Sequence, residues 1–369
     1  MFTSESQFNL KWLSIYFSAL LVWLGTTAMH IPDGYLSPVT SLIMLLLVLP
    51  FWAIGLRRIR QTMNARSVPL IALLAAFSFV IMMFNIPLPG GTTGHAVGAA
   101  LAAIILGPEI AVIAVSIALM IQALFFGDGG ILAIGANCFN MAVVIPYLSY
   151  YIYHAFSKNA PMNSLHRVAG AAAGGWIGLS VSSFLAGVEF GIQPLIFTAT
   201  DGSPLYAPYP LAVAVPAMVI PHMLVASVVE GLLTAMVVLY LQRSNIGVLE
   251  TAEKPALAEQ AGTLQKLSGL WVGLAILVVA SPLGLLAPGT AWGEWGTEEL
   301  KARGLQSIPA GLEQLSTLWG APLADYDLPV LGNTNLGYVL SAVAGVVIIA
   351  LLVWLFTALL TTESRQQNP

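Results

Sequence analysis

The stretch Ala28-Met29-His30-Ile31-Pro32-Asp33-Gly34 lies at a junction between two apolar segments. Before it, Lys11 precedes an apolar run from Trp12 to Gly25, and small residues occupy positions 26–28. A short charged region, an apolar run and small residues before a cut site are the layout of a secretory signal. The sequence therefore predicts cleavage after Ala28, which leaves a mature chain that begins Met29-His30. An uncleaved first transmembrane helix is the alternative interpretation.

A mature terminus of this form offers nitrogen donors to a metal ion. The α-amine of Met29, the backbone nitrogen of His30 and the His30 imidazole can form fused chelate rings. Planar nitrogen sites suit Ni(II) and Cu(II), with Co(II) as a further candidate. His95 ends the glycine-rich stretch Gly90-Gly91-Thr92-Thr93-Gly94-His95 and is predicted at the start of a helix. A lone histidine there is more often structural, but beside His30 it completes a set of four nitrogen donors.

The composition is that of a membrane protein. The chain is 58% hydrophobic and 8% charged, with a mean hydropathy of +0.86, whereas soluble domains carry about 25% charged residues. The net charge is −4, and the sequence has no basic stripe, so nucleic acid is not an expected partner. Membrane lipid is an expected partner. The single cysteine, Cys138, excludes an internal disulfide framework and a thiolate metal cluster.

Apolar runs of about 20 residues are the sequence signal for membrane spans. Nine follow the leader, namely Ser37–Leu56, Pro69–Ile86, Ala96–Leu106, Ile110–Phe126, Ile131–Phe156, Val168–Val188, Ala212–Leu241, Leu270–Leu286 and Leu336–Leu360. The third is too short to cross a ~30 Å hydrocarbon core, so we expect eight full spans and one half-length helix. The sequence thus predicts an all-α polytopic integral membrane protein: a compact helical bundle of about six to seven segments plus a C-terminal two-helix hairpin.

Four parts follow from changes in composition along the chain. Residues 1–28 form the leader, and residues 29–242 form the main membrane unit. Residues 243–268 are polar without a spanning period and are interpreted as a cytoplasmic linker. Residues 269–369 form a two-span unit with an extracytoplasmic loop rich in Gly, Pro, Trp and acidic residues.

The orientation follows from Lys and Arg, which favour the cytoplasmic side. Basic residues cluster at alternate ends of the predicted spans: Arg57, Arg58, Arg60, Arg66, Lys158, Arg167, Arg243, Lys254, Lys266 and Arg365. Only Lys301 and Arg303 then face outward. The sequence therefore predicts a multi-pass protein of the cell (inner) membrane, with an extracytoplasmic mature N-terminus and a cytoplasmic C-terminus. His30 and His95 fall on the same, outer side.

A second glycine-rich turn, Phe126-Gly127-Asp128-Gly129-Gly130, is also predicted on the outer side, and Asn137 and Asn140 follow it. Two roles are equally open for Asp33 and Asp128. One is to hold ligating imidazoles in the required tautomer. The other is to cap helices or turns.

His222 and Glu230 are eight positions apart in one predicted span, near the same helix face. Ionisable groups at membrane depth are costly and usually functional. A structural polar network is the favoured interpretation, and a polar path or metal ligation are the alternatives. The spacing is not that of a HExxH zinc site, and no Walker A, Gly-x-Ser-x-Gly or dinucleotide motif is present. Energy from ATP would therefore come from another chain.

Several of these motifs together resemble a known family. Met29–Leu36, the Gly91–His95 loop, Phe126–Ile131 with the following Gly-Ala-Asn and Phe-Asn-Met, and the helix from Pro221-His222 to Glu230-Gly231 are similar to the CbiM/NikM family. These proteins are the cobalt/nickel substrate-binding components of energy-coupling-factor transporters. The resemblance covers Met29 to about Leu241. Residues 270–360 resemble the small accessory component of the same systems, with Leu283 in place of the acid in its Ser-Pro-Asp-Gly-Leu-Glu pattern.

The resemblance implies that the mature N-terminus plugs inward and binds the ion together with a histidine from a later loop. By position these ligands are the Met29 amine, His30 and His95. Family members commonly begin directly at Met-His, so here the site requires removal of the leader. The implied function is capture of Co²⁺ or Ni²⁺, without a permanently bound cofactor. The implied partners are a transmembrane coupling subunit and cytoplasmic ATPase subunits.

Two rival functions remain at this stage. A self-sufficient secondary metal permease would use His222 and Glu230 as a proton-coupled path. An intramembrane enzyme with a His/Glu metal centre would lose activity in His222→Ala but not in His30→Ala, and no catalytic motif supports it.

Overall fold

The computed structural model describes residues 30–62, 68–88, 92–244, 249, 268–287, 294–302, 304–305 and 307–366. The predicted leader, its cut site and Met29 lie outside these residues, as does most of the predicted linker.

The main unit is built from helices joined by short loops and one β-hairpin. In chain order they are α1 (Pro38–Thr62), α2 (Val68–Met82), β1 (Ile86–Leu88), β2 (Thr92–Gly94), α3 (Ala99–Leu106), α4 (Pro108–Ile121), α5 (Ile134–Asn137), α6 (Ile145–Ser157), α7 (Leu165–Ile196), α8 (Leu211–Pro221) and α9 (Ser227–Arg243). The strands pair antiparallel, with Ile86 opposite Gly94. Three π-helical stretches continue or join these helices: Gln122–Phe126 after α4, Cys138–Val144 between α5 and α6, and His222–Ala226 between α8 and α9.

The C-terminal unit has two long helices separated by short ones. They are α10 (Ser268–Ala280), continued by a 3₁₀ stretch Ser281–Leu286, then α11 (Thr297–Ala302), α12 (Ala310–Leu315) and α13 (Thr334–Gln366). Helices α10 and α13 pack against α2 of the main unit. The hairpin is therefore part of the bundle and not a detached tail.

Six helical segments of the described residues are long and apolar enough to cross a membrane: Pro38–Gln61, Pro108–Phe126, Leu165–Ile196, Leu211–Arg243, Ser268–Leu286 and Thr334–Leu355. Helix α2 has 15 residues, or about 22 Å at ~1.5 Å each, which is short of a ~30 Å hydrocarbon core. Residues 134–157 are continuously helical but carry Asn137 and Asn140. The expected eight full spans therefore fall to six by length and composition. Helix α3 has eight residues, in agreement with the predicted half-length helix.

Small residues let the central helix α7 approach two neighbours closely. A methyl group added at Gly174 would lie 2.8 Å from the Ser149 carbonyl oxygen of α6, and one added at Gly175 would lie 3.1 Å from the Glu230 carbonyl oxygen of α9. In helix α3, Ala99, Ala100 and Ala103 are fully buried. These small residues serve packing within the chain. The chain is thus an all-α, multi-pass membrane protein whose loops at one end are held close together.

Candidate metal centre

The first described residues run into the interior and are clamped there by Asn137. The Ile31 N–H donates to Asn137 Oδ1 (2.8 Å), and Asn137 Nδ2 donates to the Ile31 carbonyl (3.0 Å). The Gly130 N–H donates to the same carbonyl (2.9 Å). His30 is 1% exposed. The segment that directly follows Met29 is therefore a fixed, buried plug.

Asp33 serves the loop and not an imidazole. Its two carboxylate oxygens accept hydrogen bonds from the backbone N–H groups of Leu132 (2.8 Å) and Ile131 (2.9 Å). Any side chain at Gly130 would collide with the Asp33 carboxylate, so the close approach requires glycine. Of the two roles open from sequence, the structure gives Asp33 the capping role.

His95 lies on a short extended segment between β2 and α3, four residues before the helix begins, and not at the helix start as the sequence predicts. The Glu230 carboxylate of α9 fixes this segment by accepting the N–H groups of Val97 and Gly98 (both 2.8 Å) and of Ala100 (3.2 Å). An anion is favourable there because the first N–H groups of a helix have no partner within the helix. Glu230 is therefore a structural anchor for the loop that carries His95.

The two imidazoles meet in the interior. His95 Nε2 lies 3.2 Å from His30 Nδ1, and His95 Nδ1 lies 3.1 Å from the Ala96 carbonyl. Donation from His95 Nδ1 to that carbonyl leaves the Nε2 lone pair directed at His30. Two nitrogen donors at right angles, each about 2.0–2.1 Å from one metal ion, are about 2.9 Å apart. The observed spacing is close to that of adjacent ligands.

Asp128 contacts the same histidine. Its Oδ1 lies 2.9 Å from His30 Nδ1, while Oδ2 accepts hydrogen bonds from the Tyr326 hydroxyl and from Gln122 Nε2 (3.2 Å). The Tyr326 ring stacks on Phe126, with centroids 4.7 Å apart. The C-terminal unit therefore helps to orient the Asp128 carboxylate.

The electrostatics of the cluster follow from burial and close charges. Burial lowers the pKa of His30, but the Asp128 carboxylate more than offsets it, and the net pKa is raised above 6.5. Burial raises the pKa of Asp128, but His30 outweighs this and brings the pKa to about 2. For His95, burial and then the neighbouring His30 lower the pKa to about 3. His95 is therefore held in its neutral form, whereas His30 keeps its proton to higher pH, and a metal ion bound here would have to compete with that proton.

A second carboxylate comes from the C-terminal unit. It belongs to Glu294, in the stretch that precedes α11. Ligand atoms of His30, Asp128 and Glu294 lie within 4.8 Å of one another. Burial, followed by the nearby Asp128, raises the pKa of Glu294 to about 8. This cluster spans both units of the chain.

The remaining predicted polar residues have their own partners. Asn140 Nδ2 donates to Glu189 Oε2 (3.0 Å), and His222 Nδ1 lies 2.7 Å from the Met218 carbonyl. His222 and Glu230 do not partner each other, since Glu230 is bound to the backbone before α3. The structure thus brings His30, His95 and Asp128 together and uses Asn137, Asp33 and Glu230 to hold their loops.

Sequence reasoning missed Gln122, Tyr326 and Glu294. Gln122 is the start of the first π-helical stretch, and the sequence signal that could have found it is a glutamine one turn before the Gly-Asp-Gly-Gly turn. Glu294 and Tyr326 lie in the segment between α10 and α13 of the C-terminal unit. Their only signal is that this loop is acidic and aromatic.

Comparison with known proteins identifies the family of this chain. Residues 30–247 match the family model CbiM, described as the cobalt uptake substrate-specific transmembrane region, and residues 267–362 match the PDGLE domain. The fused nickel transport protein NikMN of Rhodobacter capsulatus is 48% identical over 335 residues, which cover 87% of this chain and 95% of that protein. The cobalt transport protein CbiM of Geobacter sulfurreducens is 31% identical over 284 residues, covering 73% and 76%.

A solved structure supports the fold. A crystal structure of a transition metal transporter superposes with a TM-score of 0.55 at 44% identity, covering 62% of this chain and 99% of the other. The residues that match the CbiM family model, 30–247, include the plug, the His95 loop and the Gly-Asp-Gly-Gly turn. The chain belongs to the CbiM family of substrate-specific transmembrane proteins and carries a fused C-terminal PDGLE domain.

Proposed function

We propose that this chain is the metal-capturing component of an ATP-driven importer of the energy-coupling-factor type, with Co²⁺ or Ni²⁺ as its cargo. The observation that carries the proposal is the pair of buried imidazole nitrogens, His30 Nδ1 and His95 Nε2, 3.2 Å apart. The relatives named for nickel and for cobalt transport support both ions as cargo.

Capture requires removal of the leader after Ala28. The freed Met29 amine, the His30 backbone nitrogen and His30 Nδ1 then form fused chelate rings, and His95 Nε2 supplies the fourth nitrogen. Such a donor set disfavours Mg²⁺ and Ca²⁺, which prefer oxygen. The burial of both histidines keeps water away from the bound ion, so release requires movement of the plug.

Transport requires partners that supply ATP. The sequence has no phosphate-binding motif, so cytoplasmic ATPase subunits and a transmembrane coupling subunit provide the energy and reorient the chain. The metal enters at the outer face of the inner membrane, where the mature N-terminus lies, and leaves toward the cytoplasm. The chain itself is a transport component and not an enzyme.

The test combines N-terminal sequencing of the membrane-extracted protein with Ni²⁺ and Co²⁺ binding. We expect the mature chain to begin at Met29, and His30→Ala or His95→Ala to weaken binding by at least ~100-fold, since each removes a ligand. The control is His166→Ala, because His166 is exposed at the N-terminus of α7. A chain that retains its leader and still binds metal with full affinity would refute the proposal.

The secondary permease predicts transport by this chain alone. The use of Glu230 as a helix anchor argues against a proton path through it. Proteoliposomes that contain only this chain should show no ⁶³Ni²⁺ uptake under a proton gradient. Uptake that His222→Ala abolishes would instead favour the permease.

A further inference from the structure

The loop of the C-terminal unit places a carboxylate at the metal centre. This carboxylate is that of Glu294, which groups with His30 and Asp128 as possible ligands of one metal ion. Its ligand oxygen is within 4.8 Å of the ligand atoms of His30 and Asp128. His30 is 1% exposed, and its Nε2 has no hydrogen-bond partner in the described structure. A buried ring nitrogen of the cluster is thus without a hydrogen-bond partner among the described residues.

The two carboxylates of the cluster differ in their contacts within the protein. Asp128 Oδ1 contacts His30 Nδ1, and Oδ2 accepts from Tyr326 and Gln122. Both of its oxygens are therefore engaged within the protein. Glu294, in contrast, lines a cavity that also contacts the Gly127–Gly130 turn. Of the two, Glu294 is placed to meet an arriving ion.

The cavity is large enough for a hydrated divalent ion. Its volume is about 210 Å³, and its lining includes Asp33, Tyr35, Gly127, Gly129, Gly130 and Ile131 of the main unit together with Glu294 and Trp319 of the C-terminal unit. Six waters occupy roughly 180 Å³ at ~30 Å³ each in the liquid. A hydrated Ni²⁺ or Co²⁺ therefore fits beside Glu294 before it loses water to the nitrogen donors.

The position of Glu294 is fixed by its neighbours. Trp295 is 1% exposed, and its carbonyl accepts a hydrogen bond from the Tyr35 hydroxyl (2.9 Å). The Gly311 N–H donates to the Leu205 carbonyl (2.8 Å), and Trp319 Nε1 donates to the Leu124 carbonyl (3.0 Å). These three hydrogen bonds fix the loop to the main unit at three positions, so Glu294 is held in place before the ion arrives.

We propose that Glu294 is a further metal-binding residue, supplied by the C-terminal unit, whose carboxylate oxygen binds the ion together with the nitrogen donors of the plug. This inference rests on the proposed function. Mixed nitrogen and oxygen sites of tetragonal geometry are typical of Ni(II). Two nearby carboxylates also balance the 2+ charge of the ion in a buried setting, where unpaired charge is costly. The PDGLE domain then supplies a ligand to the binding site and does not only pack beside it.

The test compares Glu294→Gln with Glu313→Gln in the purified mature chain, which begins at Met29 and includes the C-terminal unit. Gln preserves the shape of the side chain but removes its charge, and Glu313 is an exposed acid of α12 in the same loop. Ni²⁺ affinity is measured by competition with a chelator, and the ligand field is measured from the visible spectrum of the Co²⁺-loaded protein. We expect Glu294→Gln to weaken Ni²⁺ binding by ~10- to 100-fold and to change the Co²⁺ spectrum, while Glu313→Gln changes neither.

Each other outcome overturns the assignment. Wild-type affinity in Glu294→Gln excludes a ligand role. Weaker affinity with an unchanged Co²⁺ spectrum means that Glu294 only positions the plug. His95→Ala measured in parallel separates this inference from the proposed function: if His95→Ala also binds normally, the nitrogen site itself is wrong, whereas loss in His95→Ala alone rejects only Glu294.

Discussion

His30 Nδ1 lies 2.9 Å from Asp128 Oδ1 and 3.2 Å from His95 Nε2, so one atom meets both an anion and a second imidazole. The anion keeps a proton on His30 to a higher pH than in a free histidine. At the proposed site a metal ion would have to displace that proton, and Asp128 would then balance the charge of the ion. The same contact that orients His30 therefore also sets the pH at which metal and proton exchange.

Metal affinity should fall on acidification, because protonated His30 cannot bind a metal. The raised pKa of His30 places the start of this loss above pH 6.5. His95, with a pKa of about 3, contributes no pH dependence between about pH 5 and 8. Asp128→Asn removes the anion, so the pKa of His30 falls and the loss moves to lower pH. Ni²⁺ titrations at several pH values measure the shift, and an unchanged pH profile in Asp128→Asn would contradict this account.

Asn137 holds the plug through both polar groups of the Ile31 backbone. In Asn137→Ala the buried Ile31 N–H loses its acceptor, at a cost of about 1–3 kcal/mol, while the Ile31 carbonyl retains Gly130. We expect a lower thermal midpoint and roughly tenfold weaker Ni²⁺ binding. The control is Asn335→Ala, at an exposed position in the first turn of α13. Equal effects of the two substitutions would show that the clamp does not support the site.

At the scale of elements, three π-helical stretches interrupt or extend the long helices beside polar residues. They contain Gln122, Asn140 and His222, and all three side chains are buried. Such stretches are frequent at functional sites because the extra residue turns a side chain out of the regular helical register. The apolar pattern of the sequence carries no signal for this change of register, which is why the predicted spans run through it.

The His95 segment should depend on Glu230 of α9. Glu230→Gln removes the negative charge and replaces one acceptor by a donor, which weakens up to three charge-assisted hydrogen bonds, each worth ~1.5–3 kcal/mol. We expect faster hydrogen exchange at Val97 and Gly98 and weaker Ni²⁺ binding. The control is Glu109→Gln, which also removes an acid from the first turn of a helix, but in α4. Normal metal affinity in Glu230→Gln would show that His95 is positioned by other contacts.

At the scale of the whole molecule, much of the bundle could be predicted and the assembly of the site only in part. The nine apolar runs predicted after the leader correspond to helical segments, because long apolar stretches leave few other structures in a bilayer. The Met-His, Gly-His and Gly-Asp-Gly-Gly motifs pointed to His30, His95 and Asp128. No motif pointed to Glu294 or Tyr326. These residues lie more than 160 positions from Asp128 along the chain, and no local sequence pattern encodes a contact between two units.

Docking of the C-terminal unit should therefore affect metal binding. Gly311 of α12 packs on Leu205 and Tyr206, and a side chain there would collide with both. Gly311→Val should displace the loop, withdraw Glu294 from the plug and weaken Ni²⁺ binding by about tenfold, or ~1.4 kcal/mol. The control Gly320→Val lies in the same loop with open space around it. By linkage, Ni²⁺ at 100 times its Kd stabilises the wild type by ~2.7 kcal/mol. At that same Ni²⁺ concentration, the increase in thermal midpoint caused by Ni²⁺ should be smaller for Gly311→Val. Equal increases would show that docking of the C-terminal unit does not affect metal binding.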